Sequence, residues 1–287
     1  MKYALIEQFR NEFSLVALCR VLGVSRSSYY AALARPASRR STADIALRQN
    51  IVEVHQRQRK VPGAVKCWLL LKEQGIACGK HRVARLRKDA GLQAKRTARF
   101  RVMEKHQHTE PPAPDLVKRQ FTVAAPNKVW VSDITTIRTC EGWVHVAIVL
   151  DLFSRLVVGW AIDRTQAATL PIAALRMAIA QRKPAASLIC HSDQGSVYGS
   201  RAYRQVLTDH QLLPSMSRRG NCHDNAVAES FFSNLKNEMT HHAIYETRQE
   251  AKDEISEYIE LYYNRERLHQ TLRYRTPAAI DASYQSA

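Results

Sequence analysis

The 287-residue sequence contains no apolar run near the roughly 18 to 20 residues that a membrane-spanning helix needs, so no membrane partner is expected. Its opening stretch, MKYALIEQFRNEF, is charged early and carries no small-residue cleavage site, which argues against a secretory signal. The six cysteines (Cys19, Cys67, Cys78, Cys140, Cys190, Cys222) are scattered and none form a CxxC pair. A disulfide framework or Cys-rich zinc site is therefore disfavoured, and a reduced, cytoplasmic compartment fits better. No sustained heptad repeat is present, which excludes a long coiled coil within this sequence.

What is present is apolar content and positive charge. At 45% hydrophobic the chain can bury at least one full core, and its length suggests about two domains. The net charge is +17 and unevenly placed. Residues 1–125 hold 25 Lys/Arg against 9 Asp/Glu, a balance of 25 − 9 = +16; residues 126–287 hold 18 against 17, a balance of +1. Such asymmetry points to a polyanionic partner, nucleic acid ahead of a membrane surface, with a merely soluble basic surface as the plain alternative.

The basic part reads as helical. Leu15, Leu18, Val21, Leu22 and Val24 recur near helical spacing, Gly23 interrupts them, and Ser25 can cap a following helix. This is the outline of a helix-turn-helix, shared by any helical hairpin. The polar ASRRSTAD after Pro36 reads as a linker, and helical periodicity resumes over residues 43–60. A second helix–turn–helix pattern follows, KCWLLLKEQGI then KHRVARLRKDAGL, turning at Ala77-Cys78-Gly79. Its second helix carries Lys80, His81, Arg82, Arg85, Arg87 and Lys88; of these, Lys80, Arg82 and Arg85 are candidate phosphate contacts, the alternative being a solvated face. EKHQHTEPPAPDL reads as an interdomain linker.

From Lys128 the pattern changes to strands. KVWVSDITTI, GWVHVAIVLD and RLVVGWAI read as an antiparallel three-strand meander. TLPIAALRMAIAQR reads as a helix, SLICHSD as a buried strand, SRAYRQVLTDH as a helix and LLPSMS as a strand. NAVAESFFSNLKNEM and RQEAKDEISEYIELYYN read as two further helices. The expected class is α/β or α+β, a mixed sheet flanked by helices and preceded by an all-α region.

Three carboxylates sit oddly in this pattern. Asp133 lies inside a strong strand, where Asp has low propensity and an unpaired charge is costly. Asp193 follows a strand end, and Glu229 stands in the first turns of a helix among apolar residues. Singly, Asp133 could cap a turn and Glu229 could be a solvated helical glutamate. Asp151, at the end of a strand before Leu-Phe-Ser-Arg, suits a turn rather than catalysis. His191 and His223, with Cys190 and Cys222, invite a metal reading, but the spacing is wrong for zinc.

Together the three carboxylates define a pattern. Residues 194–228 place 35 residues between Asp193 and Glu229, and Lys236 follows Glu229 by seven, two turns on along one helix face. WVSDIT, HSDQGSVY and RRGNCHDNAVAESFFSNLKNE resemble the three catalytic segments of retroviral-integrase-like transposases. The spacing is similar to that of insertion-sequence transposases of the IS-three family, specifically their OrfB catalytic subunit. RVARLRKDAGLQAK and the tail YYNRERLHQTLRYRTPAAI resemble other parts of that subunit, so the likeness covers nearly the whole chain. Departures are Thr136 where the family usually has Tyr, Arg273 where it usually has Gly, and VPGAVKCW in place of a Tyr-Gly-x-Arg-Arg-Ile pattern. None touches a carboxylate.

The resemblance implies an RNase H-like α/β catalytic core over residues 121–287, a linker over 103–120, and two helix-turn-helix units over 1–102. It implies a DNA transposase that cleaves and joins insertion-sequence ends through Asp133, Asp193 and Glu229. In-line phosphoryl transfer suits two Mg²⁺ ions roughly 3.5–4 Å apart, and Mg²⁺ prefers carboxylate and water oxygens. Asp133 would bridge both ions while Asp193 and Glu229 each hold one, with Mn²⁺ as a substitute. Lys236, Arg218, Arg219 and Asn225 are candidate DNA contacts, Asn225 alternatively a helix cap and Lys236 a surface lysine. Expected partners are element-end and target DNA, further copies of the chain, and an upstream helix-turn-helix and leucine-zipper subunit or fusion, in a bacterial cytoplasm at the nucleoid. Rival readings are a non-catalytic DNA-binding regulator, an inactive transposase remnant and a purely hydrolytic RNase H-like nuclease. The complete triad argues against the first two, and the helical region and tail argue against the third.

Overall fold

Ser14, Gly23 and Ser25 set the first helical turns much as their chemistry suggests. The computed structural model describes residues 2–36, 38–95, 112–218 and 225–285. After α1 (Lys2–Phe9), α2 (Leu15–Leu22) starts at Ser14, whose side chain accepts from the Ala17 N–H. It ends at Gly23, whose φ of 61° is a left-handed conformation that glycine adopts without a Cβ penalty. Ser25 accepts from the Ser28 N–H and opens α3 (Arg26–Ala34). Ile6, Cys19 and Tyr29 are the buried centre of this unit.

The polar ASRRSTAD is a correction. Only its start is a connector, because Ser38 accepts from the Ser41 N–H and α4 (Arg39–Arg57) begins there. Polar residues without Pro or Gly do not break a helix whose first turn is exposed. With α5 (Ala64–Glu73) and α6 (Lys80–Asp89), α4 buries Leu47, Ile51, Leu71, Val83 and Leu86.

The meander forms as expected. β1 (Val129–Thr139) pairs antiparallel with β2 (Gly142–Asp151), and β2 with β3 (Val157–Asp163). After α7 (Thr169–Arg182), β4 (Ile189–Ser192) joins β1 in parallel. After α8 (Arg201–Asp209), β5 (Leu213–Met216) joins β4 in parallel, so the sheet order is β3-β2-β1-β4-β5. Strand alternation divides the side chains between two cores. Val131, Val144, Val146, Ile148 and Leu150 face α9 (Ala226–Glu238) and α10 (Arg248–Glu257). Trp130, Ala147 and Val149 face α7 and α8. Sheet burial on both faces gives a three-layer α/β architecture. Helix α7 lies so close to β3 that a Cβ on Gly159 would stand 2.2 Å from the Ala174 carbonyl oxygen.

A second correction concerns the linker. Residues 103–111 lie outside the described residues. Residues 112–120 are anchored on the core at points: Val117 is 4% exposed, Leu116 N–H donates to Ser215 Oγ at 2.9 Å, and Met216 N–H donates to the Pro114 carbonyl. Proline fixes an extended path there, and β5 supplies the partners.

The tail binds helical region and core together. Beyond α10 the helix widens into a π-helical stretch, Tyr258–Tyr263, with Tyr258, Ile259, Tyr262 and Tyr263 buried. Arg267 donates from Nη2 and Nε to Glu238 Oε1 at 2.7 and 2.9 Å and from Nε to Oε2 at 2.9 Å. The Tyr258 hydroxyl donates to the same carboxylate at 2.8 Å. Leu268 completes the α4–α6 core, Gln58 Nε2 donates to Glu266, and Arg59 pairs with Glu257 at 2.6 Å. The last helix, α11 (Pro277–Gln285), is held to α7 by Asp281, which accepts from Arg182 Nη1 and Nη2 at 2.6 and 2.7 Å.

Candidate active site

Register brings Asp133 and Asp193 together. The last paired residues of β1 and β4 are Val131 and His191, and the two aspartates each follow two residues later. Alternation puts both carboxylates on one face. Asp133 pairs across β1–β2 with Ile148, a residue of the core under α9, so that face is the one α9 covers. Both aspartates are half-buried. Asp133 Oδ1 accepts from the Ile134 N–H at 2.8 Å, and Asp193 Oδ1 accepts from the Gly195 N–H at 2.9 Å. The second bond folds the loop tightly over Asp193, since a Cβ on Gly195 would stand 2.9 Å from Oδ1.

Two buried polar atoms close on this pair. Tyr198 is 2% exposed and its hydroxyl has no hydrogen-bond partner among the described residues. Burial, then the charges of Asp133, Tyr203 and Asp193, push its ionisation well above the usual tyrosine range, so it remains a protonated donor. Asn225, 3% exposed, donates from Nδ2 to the Ser132 carbonyl at 3.2 Å, and its Oδ1 has no partner among the described residues. Although Asn225 stands at the N-terminus of α9, it makes no side-chain capping bond. It ties the helix start to β1 beside Asp133, a position that capping chemistry alone does not reveal.

Glu229 lies in the first turn of α9 and is exposed, while Ala228, Phe231, Phe232 and Leu235 are buried. Lys236, half-buried, follows two turns later on the same side of the helix. Among the described residues no three His, Cys, Asp or Glu side chains gather closely enough to hold a metal ion. The paired aspartates are thus in register and Glu229 stands on the helix above them without closing a three-carboxylate cluster. Arg218 is exposed immediately beyond Ser217, whose N–H donates to the Ser192 carbonyl beside Asp193. Arg219, His223 and Cys222 lie outside the described residues.

Other candidates have structural work. His191 is fully buried with Nδ1 2.9 Å from Ser215 Oγ, and burial pushes the Cys190 thiol far up, so neither serves the site as a metal ligand. Asp151 is buried and accepts from the Asn127, Phe153 and Ser154 N–H groups, the turn role its sequence suggests. On α6, Lys80 is exposed, but Arg82 and Arg85 each contact Asp44 at 2.6 Å. Arg87 is buried against His55. Half of the basic cluster on this helix is therefore engaged within the fold.

The chain's relatives can now be set beside this geometry. Two integrase core domain models match residues 123–222 and 210–277, and an HTH-like domain model matches residues 42–100. The chain is 41% identical to the uncharacterized 31 kDa protein of insertion element IS600 from Shigella sonnei, over 93% of this chain and 98% of that one. It is 38% identical to transposase InsF for insertion sequence IS3A from Escherichia coli strain K12, over 94% of both. The chain belongs to the IS3 family of transposases. A fainter likeness, TM-score 0.43 at 17% identity over 55% of this chain and 97% of that one, links the transposase to the HTLV-2 integrase catalytic core domain solved with magnesium. The aspartate pair and the Glu229 helix of the transposase fall across the two core matches, and α5–α6 within the HTH-like match. Sequence reasoning missed Tyr198 and the Asn225 tether. The Tyr in HSDQGSVY carries the only trace of the first, and the second depends on a contact 93 residues away.

Proposed function

We propose that this transposase cleaves insertion-sequence ends and joins them to target DNA by phosphoryl transfer at Asp133, Asp193 and Glu229. The observation that supports it most is the placement of Asp133 and Asp193 at one level on adjacent parallel strands, under the helix that carries Glu229. Two carboxylates side by side repel, and such an arrangement suits a site that takes up cations. The donor set fits Mg²⁺, which prefers oxygen: two carboxylates, with the unpartnered Asn225 Oδ1 and Tyr198 hydroxyl able to order its waters. Asp133, Asp193 and Glu229 would hold two Mg²⁺ ions, or Mn²⁺ in their place, which when bound offset charge developing on the attacking and leaving oxygens.

The chain's own groups do the remaining work. Tyr198, whose ionisation is pushed well above the usual tyrosine range, would donate a hydrogen bond to a group bound at the site without competing as a nucleophile. Asn225 fixes the start of α9 against β1 and so sets where Glu229 enters. Arg218 and Lys236, with Arg219 of the same sequence segment, would supply cations able to grip backbone phosphates. Lys80, with Arg82 and Arg85 if they exchange Asp44 for phosphate, extends the contact along α6; one charge partner replaces another in that exchange. The functional division is a helical end-binding region over residues 1–102, a connector over 103–120 whose residues 112–120 are anchored on the core, and a catalytic core over 121–287. Joining two element ends calls for more than one copy, together with an upstream helix-turn-helix and leucine-zipper subunit or fusion. No helix among the described residues is long and apolar enough to cross a membrane; acting on DNA would place the protein at the bacterial nucleoid in the cytoplasm. Asp133→Asn tests the reading: end-DNA binding should persist while Mg²⁺-dependent cleavage falls at least a hundredfold. Undiminished cleavage would overturn it.

A further inference from the structure

Away from the aspartates, the β2–β3 turn and the C-terminal tail enclose a cleft of about 540 Å³. Three arginines line it: Arg155 from the turn, and Arg273 and Arg275 from the tail. Arg155 Nη2 donates to the Phe121 carbonyl at 2.8 Å, while its Nη1 is buried with no hydrogen-bond partner among the described residues. Arg275 Nη2 is pinned to the Ala279 carbonyl at 2.9 Å. Arg273 is exposed and has φ 54° and ψ 41°, a left-handed conformation that favours glycine. A fold that keeps an arginine there is holding a strained residue at the rim of a cleft, the kind of outlier that clusters at ligand-binding positions.

The local carboxylates are committed elsewhere. Asp151 accepts from the turn's backbone N–H groups, and Asp281 is held by both terminal nitrogens of Arg182. Among the described residues none of the three arginines has a carboxylate within ion-pair distance. A buried guanidinium N–H without an acceptor is costly, and planar guanidinium groups match phosphate oxygens in pairs. Thr122 and Thr271 add hydroxyls, and Phe121, Leu152 and Ile280 add apolar surface suited to a sugar.

We infer that this cleft binds a backbone phosphodiester of duplex DNA at a point separate from the reacting one. The inference rests on the DNA-handling reading above and deepens it. Leu152 N–H bonds to the Val129 carbonyl, and Asp133 lies four residues further along β1. At about 3.3 Å per residue the cleft and the aspartates are roughly 13 Å apart, the rise of about four base pairs. A duplex engaged at both points is held in fixed orientation across the sheet, so the cleft would position DNA for the carboxylates without touching the reacting atoms.

The test uses the full chain, a labelled element-end duplex and fluorescence anisotropy between about 0.05 and 0.2 M salt. Arg273→Gly removes the side chain while suiting the left-handed backbone, so it should fold at least as well as the parent, which thermal melting checks. Binding should weaken at least threefold, and the slope of log affinity against log salt should fall by about 0.9 for each phosphate released. Arg273→Glu should weaken it further. Unchanged affinity and slope in both folded variants would overturn the inference. Arg273-dependent binding of deoxyadenosine monophosphate with duplex affinity unchanged would also overturn it, by assigning the cleft to a free nucleotide. Failure of the parent protein to bind any duplex would remove the DNA-handling reading and this inference with it, a result distinct from failure of the cleft alone.

Discussion

Replacing Arg267 with Met should unfold this protein well before any surface change does. The Arg267 guanidinium makes three contacts of 2.7 to 2.9 Å to the Glu238 carboxylate. The two side chains are only 10% and 8% exposed. Once Arg267 is gone, Glu238 keeps Tyr258 as a donor but loses its counter-charge in a place water does not reach. Removing one partner of a buried pair costs about 3–5 kcal/mol, a large part of the roughly 5–15 kcal/mol that holds a domain together. At about 2–4 °C per kcal/mol for a unit of this size, the melting temperature should drop by about 6–20 °C. Circular dichroism melts of the parent, Arg267→Met, Glu238→Leu and the double variant form a complete cycle. The double variant should recover part of the loss, because it removes both members of the pair, while Lys66 beside them loses its carboxylate neighbour. A drop below about 2 °C for Arg267→Met alone would refute the reasoning. Since Glu238 ends the helix that carries Glu229, the same variant should also slow DNA cleavage at temperatures where it remains folded.

Two other perturbations have defined signs. Gly159→Ala drives a methyl group into the Ala174 carbonyl and the Ala178 backbone; it should cost about 3 kcal/mol by urea unfolding, the upper part of the overpacking range, and a cost near zero would show that α7 yields. Burial, followed by repulsion from Arg267, Lys66 and Arg155, lowers the His269 pKa to about 2, so the folded state stays unprotonated where the unfolded chain binds a proton below about 6.5. Stability should therefore fall as pH drops through that window, by about 2 kcal/mol from this residue at pH 5, and His269→Gln should flatten the urea-midpoint profile; an unaltered profile would contradict it.

Much of this was legible in the sequence where local chemistry and periodicity agree. TLPIAALRMAIAQR coincides with α7, and the three alternating runs became β1, β2 and β3. The aspartates were visible because a carboxylate inside a strand pattern conflicts with its surroundings. What was hidden depends on distant partners. The tail of the proline-rich segment packs because Ser215, nearly a hundred residues on, accepts the Leu116 N–H. RQEAKDEISEYIELYYN reads as one regular helix, yet it widens at Tyr258–Tyr263, where Tyr263 sits edge-on to Phe231 at 4.6 Å and to His269 at 4.8 Å. Arg82 and Arg85 look like a free basic face until Asp44 is folded against them. Asn225 looks like a cap, and only the β1 carbonyl beside Asp133 explains why its side chain turns inward.

The central assignment is most directly tested by strand transfer. Labelled element-end DNA, Mg²⁺ and target DNA would be incubated with the parent chain, alone and fused to its upstream partner, and with the same proteins carrying Glu229→Gln. Joined products from the parent protein and none from Glu229→Gln, with both binding the ends equally, is the expected result. Joining that persists in Glu229→Gln would show that the chemistry is carried by other residues.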